Sequence, residues 1–205
     1  MSTLLLLVSA VSVWTAFFTS YRRNREYTSR IAISRELSRE LEVIDPTRPA
    51  VVKLLEEWYD ENRWDVHLPE QSRLHLATEG VSAGGLAVPS ASAILEPGRR
   101  RVELRIEGNE SEREMSVLVD GREAIRSRLP DTWNHASGSS GGSQVGSSRQ
   151  FDRDAPLVLF RRRLHVTNGD RSTTPADGEK AAGAMLWIEP VGGGSTSPPS
   201  TSPSR

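Results

Sequence analysis

The first twenty-one residues carry no charged side chain, from Met1 through Leu4-Leu5-Leu6-Leu7, Trp14 and Phe17-Phe18 to Tyr21, and the run stops at Arg22-Arg23-Asn24-Arg25. At a rise of about 1.5 Å per residue, such a run crosses a hydrocarbon layer about 30 Å thick as one helix, with little length left for tilt. A cleaved leader would need a basic segment before the apolar core and a small-residue site after it. Met1-Ser2-Thr3 has no basic side chain, the core leads into Thr19-Ser20-Tyr21-Arg22, and Val8-Ser9-Ala10 lies too early. The expectation is an uncleaved, single-pass transmembrane helix over residues 1–21.

Basic residues close to a span are retained on the cytoplasmic side. Arg22, Arg23 and Arg25, with Arg30 beyond them, therefore predict a cytoplasmic carboxyl-terminal domain and flank a lipid bilayer, each contributing about 1 kcal/mol against anionic head groups. Ser9, Ser12 and Thr15 give the span small faces that could bring two helices together as a homo-oligomer. The chain has no cysteine, so neither a disulfide framework nor a thiolate metal cage is available. Net charge is −1 with 26% charged residues, and no global field argues for nucleic acid.

From 22 to 45 the pattern is helical and charged, with Arg22/Glu26 and Glu26/Arg30 at i,i+4 and an apolar stripe of Ile33, Leu37, Leu41 and Ile44. This predicts a juxtamembrane amphipathic helix, with two heptads where a coiled coil needs three or four. Asp45-Pro46-Thr47-Arg48-Pro49 ends it. Residues 50–56 are ambiguous between helix and strand, and the adjacent valines favour a strand.

Beyond that point the period is two. Val102, Leu104 and Ile106 alternate with charged residues, Met115, Val117 and Val119 repeat the pattern, and Asp120-Gly121 turns the chain into a return over Arg122 to Leu129. Trp64 to Leu68 and Arg73 to Ala77 read as a hairpin around Pro69-Glu70-Gln71-Ser72, with further strands at Ala91 to Leu95, Leu157 to Val166 and Ala184 to Glu189. The fold class that follows is mainly β: an antiparallel β-sandwich or open barrel over 50–190. Serine- and glycine-rich 136–150 and polar 168–183 are expected to be flexible loops, and 191–205 a disordered tail.

Chemistry-bearing patterns are few. Gly138-Ser139-Ser140-Gly141-Gly142 spells G-x-S-x-G, but no apolar strand precedes it and no helix follows it, so it is rejected as a nucleophile elbow. In the predicted hairpin Asp65, His67 and His75 share a face, and two imidazoles with a carboxylate are ligands for a metal such as zinc. Trp58, Tyr59 and Trp64 sit among acidic residues as a ligand-binding or glycan platform, against the alternative that large aromatics fill the core. Arg161-Arg162-Arg163 lies inside a strand, so at least one must point at or beside the core, giving a basic strip for a phosphate or acidic partner, or a strand edge guarded by charge. No catalytic residue and no cofactor is expected.

Trp58 to Pro69 (WYDENRWDVHLP), Asp120-Gly121, Leu159-Phe160-Arg161-Arg162-Arg163 and Leu186-Trp187-Ile188-Glu189-Pro190 resemble a group of single-span membrane proteins of planctomycete bacteria. That resemblance implies a membrane anchor and transfers no activity or site residue. The apolar start running into a β domain is similar to a type IV pilin, though without the leader glycine and the glutamate that follows it. Ser116-Val117-Leu118-Val119-Asp120-Gly121 resembles the turn of laminin-G and related lectin-like sandwiches, without a calcium-ligand pattern. The functional expectation is a membrane-anchored binding or scaffolding protein with a protein partner; the alternative is a lectin-like module displayed outside the cytoplasm.

Overall fold

The computed structural model of the protein describes residues 14, 39–55, 61–108, 113–168, 171–173 and 175–192. The anchor over 1–21 (apart from Trp14), Arg22, Arg23, Arg25, the charged helix as far as residue 38, Trp58, Tyr59 and the tail from 193 lie outside them. Among the described residues no helix is long and apolar enough to cross a membrane. Two units divide the chain, Met1–Glu40 and Leu41–Arg205. In the first, Trp14 is helical and exposed, and Arg39 takes a left-handed φ of 48° in a turn. Residues 40–45, predicted as the end of the charged helix, are not helical.

The second unit is mainly β. Its strands are β1 (Ala50–Lys53), β2 (Glu61–Leu68), β3 (Ser72–Ala77), β4 (Ala91–Leu95), β5 (Gly98–Gly108), β6 (Arg113–Val119), β7 (Arg122–Arg128), β8 (Ala136–Ser143), β9 (Arg149–Gln150), β10 (Leu157–Asn168), β11 (Arg171–Thr173) and β12 (Gly183–Pro190), with a 3-10 turn at Asp131–His135. They form two antiparallel sheets. The first has the order β7-β6-β5-β2-β1-β9, and the second β11-β10-β12-β3-β4 with β8 also paired to β10.

Alternation builds the core between the sheets. Trp64, Val66 and Leu68 of β2, Val102 and Leu104 of β5, and Met115 and Val117 of β6 face Leu74 and Leu76 of β3, Leu157, Leu159 and Phe160 of β10, and Leu186 and Ile188 of β12 in one buried cluster. Burying each such side chain stabilises the fold by roughly 1.5–3 kcal/mol. Trp64 meets Phe160 edge-on, with ring centroids 6.5 Å apart. The β5-β6-β7 meander is as expected, and Asp120 and Gly121 both have positive φ, 52° and 77°, as a two-residue hairpin turn of this twist requires.

Three expectations are corrected. β2 and β3 are not a hairpin: β2 pairs with β1 and β5 while β3 pairs with β12 and β4, so Pro69-Glu70-Gln71 carries the chain from one sheet to the other. Such a corner buries Trp64 and Leu74 on facing sheets instead of on one. Residues 136–143 of the serine-glycine segment are strand β8, paired with β10 from Ala136 to Ser143. The polar segment 168–183 contributes β11 and a bridge from Ala181 to Val81.

Each sheet has a strap on its outer face. Residues 41–49 lie over β1, where Leu41, Val43 and Leu54 pack on Ala50 and Val52 and Arg99 donates 2.7 Å to the Leu41 carbonyl. Val81 and Ala87, from the loop between β3 and β4, cover Ala77, Met185 and Trp187 on the other sheet. Edge strands β4 and β7 lie side by side on one flank of the sandwich.

Candidate binding edge at β8 and β10

A β-bulge between Val158 and Phe160 shifts the register of β10 against β12. Both Leu159 and Phe160 consequently point into the core, and the parity of everything after them is reset. Arg162 stands opposite Ala184 on β12, and Ala184 belongs to the core cluster, so Arg162 is the one arginine of the three on the inner face. Its guanidinium lies 5.2 Å over the Phe160 ring. Its Nε is buried without a hydrogen-bond partner, and among the described residues no carboxylate pairs with it.

The other two are committed to the fold. Arg161 donates to the carbonyls of Ala83 and Gly85, and Arg163 to those of Pro175 and Ala176 at 2.7 and 2.6 Å, with Asp177 at 3.9 Å. They hold the two loops over the outer face. Burial and the nearby Arg163 charge push the Arg161 guanidinium below its ordinary range.

On the other side of β10 runs β8. Gly142, Ser140 and Gly138 stand opposite Arg161, Arg163 and His165, while Gly141 and Ser139 stand opposite Arg162 and Leu164. The Gln144 amide donates to the Leu159 carbonyl, and by the alternation of an antiparallel ladder the even positions of β8 bond to β10. By the same alternation the N–H and C=O of Ser139 point to the open side. Gly141 has φ of 100°, and a Cβ there would collide with the Arg161 carbonyl oxygen, so no other residue fits without a shift. Among the described residues β8 pairs with β10 alone, and Ser139 and Gly141 are exposed. Ser143 ends the strand, accepting 3.0 Å from Trp64 Nε1 and donating 2.7 Å to the Val145 carbonyl.

β8 has no charge and no proline along its eight residues. The edge at β7 differs, with Arg122, Glu123, Arg126 and Arg128 along it and Arg126 bonded to Glu123 and Glu114. Charged edges resist strand addition, and a bare one invites it.

The residues singled out in the sequence fall elsewhere. Trp64 is fully buried, so it gives no platform, and Trp58 and Tyr59 lie outside the described residues. Asp65 and His67 are on the outer face of the first sheet. Asp65 takes both oxygens to Arg101, at 2.8 and 3.2 Å, and His67 Nε2 donates 3.0 Å to the Pro46 carbonyl. His75 is on the second sheet, stacked on Trp187 at 5.0 Å with Glu189 3.3 Å away. The sheet-to-sheet corner separates the three, and among the described residues no His, Cys, Asp or Glu group is placed to hold a metal ion. Gly138 to Gly142 lies within a strand, without the strand-turn-helix setting of a nucleophile elbow. The strand reading required at least one arginine of Arg161-Arg162-Arg163 at or beside the core face, and the bulge that selects Arg162 has no composition signal.

No protein-family model, curated protein or solved structure matches the chain.

Proposed function

We propose that the protein is a membrane-anchored binding module, held by residues 1–21 with its β domain on the cytoplasmic side, and that its partner docks at the β8 edge. The observation that carries this reading is the pairing of a bare, exposed edge strand with an inner-face arginine, Arg162, whose Nε is buried without a hydrogen-bond partner and which no carboxylate pairs with among the described residues. Arginine behind an open edge supports recognition of another chain, because main-chain bonds supply affinity while the side chain supplies selection. The apolar run and its arginine collar support the address. The glycan-platform alternative loses Trp64 to the core.

The test places a photo-crosslinking residue at Ser139 and, as a control, at Arg122 on β7, in intact cells. A membrane-fraction adduct from position 139 and none from 122 is the expected result. Adducts equal from both edges, or none from 139, would overturn the docking assignment.

A further inference from the structure

We infer that the β8 edge takes an extended, acidic peptide segment as an added strand, one carboxylate of which meets Arg162 across Gly141. This rests on the binding-module reading and names the chemistry of its partner.

The geometry runs from the register. A residue directly opposite Gly141 on an added strand points to the same side of the sheet as Gly141 and Arg162. Strands are spaced by about 4.8 Å, so the added strand lies about 10 Å from β10, a gap that an arginine and a glutamate span together. Nothing of β8 stands between them, because position 141 has no side chain and its conformation and close packing keep it glycine. The glycine therefore opens a path from β10 to the edge.

Charge decides the occupant. Arg161 and Arg163 face the opposite side and are held by loop carbonyls, so among the three arginines of β10 Arg162 alone is on the inner face, and one guanidinium is not a cluster that cradles a free phosphate. A second copy of the chain pairing β8 to β8 would bring no carboxylate, since residues 136–150 contain none, and both Arg162 side chains would remain unmatched. A carboxylate-bearing strand satisfies both the edge and the cation, through charge-assisted hydrogen bonds.

The experiment uses the full chain in detergent and two labelled, end-blocked peptides long enough to span β8, one alternating threonine with glutamate and the other threonine with glutamine, read by fluorescence anisotropy. The expected result is binding of the glutamate peptide about tenfold tighter than the glutamine peptide, the order of one charge-assisted contact. Arg162→Gln removes that preference, so that the two peptides bind alike. Ser139→Pro removes binding of both, and because the Ser139 amide points away from β10 the proline costs no ladder bond within the sheet. Ser139→Glu serves as a second edge variant that weakens the glutamate peptide selectively. Near-ultraviolet circular dichroism of the buried tryptophans reports that each variant is folded.

Equal affinities for the two peptides in the unmodified chain would overturn the acidic partner. So would inorganic phosphate binding in place of both peptides in a manner that Arg162→Gln abolishes, or concentration-dependent dimerisation that Ser139→Pro abolishes. If crosslinking from position 139 persists while the peptides are not distinguished, the acidic assignment fails and the binding reading stands. If position 139 gives no adduct, that reading fails as well.

Discussion

At the scale of single residues, the surroundings of His75 give it a pH signature. Burial against Trp187 pushes its imidazole below the ordinary value of about 6.5; Glu189 pulls it back up, and Arg73 adds to the lowering. The folded state therefore binds fewer protons than the unfolded state over the interval beneath that value. Stability from this group is complete above about pH 6.5 and is lost as pH falls towards the folded value. A midpoint of urea unfolding measured from pH 7.5 down to pH 5 should fall in the unmodified protein, and His75→Phe, which keeps a ring on Trp187, should flatten that slope; equal slopes would remove His75 as its source. The glycines of β8 separate by the same kind of reasoning. A methyl at Gly138 meets His165 Nδ1 at 3.6 Å, an ordinary contact, whereas one at Gly141 meets backbone in a left-handed conformation. Gly141→Ala should cost about 1–3 kcal/mol in urea unfolding and Gly138→Ala about nothing.

At the scale of elements, what was legible followed from alternation. Val102 to Ile106, Met115 to Val119 and the Asp120-Gly121 turn state a meander in their own period, because one face is buried and the other solvated. β8 was illegible for the converse reason: serine and glycine have no apolar period, and the strand exists because β10 supplies its ladder and Gly141 lets the backbones approach. The corner at Pro69-Glu70-Gln71 has the turn chemistry of a hairpin and the geometry of a sheet exchange, and local composition does not distinguish them. That ambiguity is what placed His75 beside His67 in the sequence reading and Trp64 on a shared face. Arg163 shows how an element is held from a distance. It is buried, and its bonds to Pro175 and Ala176 fix the loop whose Ala181 exchanges two 2.9 Å backbone bonds with Val81. Arg163→Met should accelerate hydrogen exchange at the Val81 and Ala181 amides by about tenfold while leaving the β5-β6-β7 amides unchanged, since about 1–2 kcal/mol of charge-assisted bonding is lost locally.

At the scale of the whole molecule, the proposed membrane anchor assigns residues 1–21 to lipid and the β unit to water. Residues 41–192 contain a core shared by both sheets and a strap over each outer face, which is what a unit able to keep its fold in water requires. The first twenty-one residues have no charged side chain, and on the proposed reading they lie in lipid with the arginines after them at its anionic surface. Removing residues 2–21 should therefore move the protein from the membrane fraction to the supernatant after alkaline extraction, with the near-ultraviolet signal of Trp64, Trp133 and Trp187 retained. Retention in the membrane after that deletion would show that the β unit, not the apolar run, binds lipid. Orientation is tested separately, with a reporter fused after Arg205: activity confined to the cytoplasm is the expected outcome, and activity outside it would put the β8 edge in a different compartment. Replacing Arg22, Arg23 and Arg25 by glutamine should weaken that orientation without changing membrane retention, since basic residues beside a span bias its direction while apolar length governs insertion.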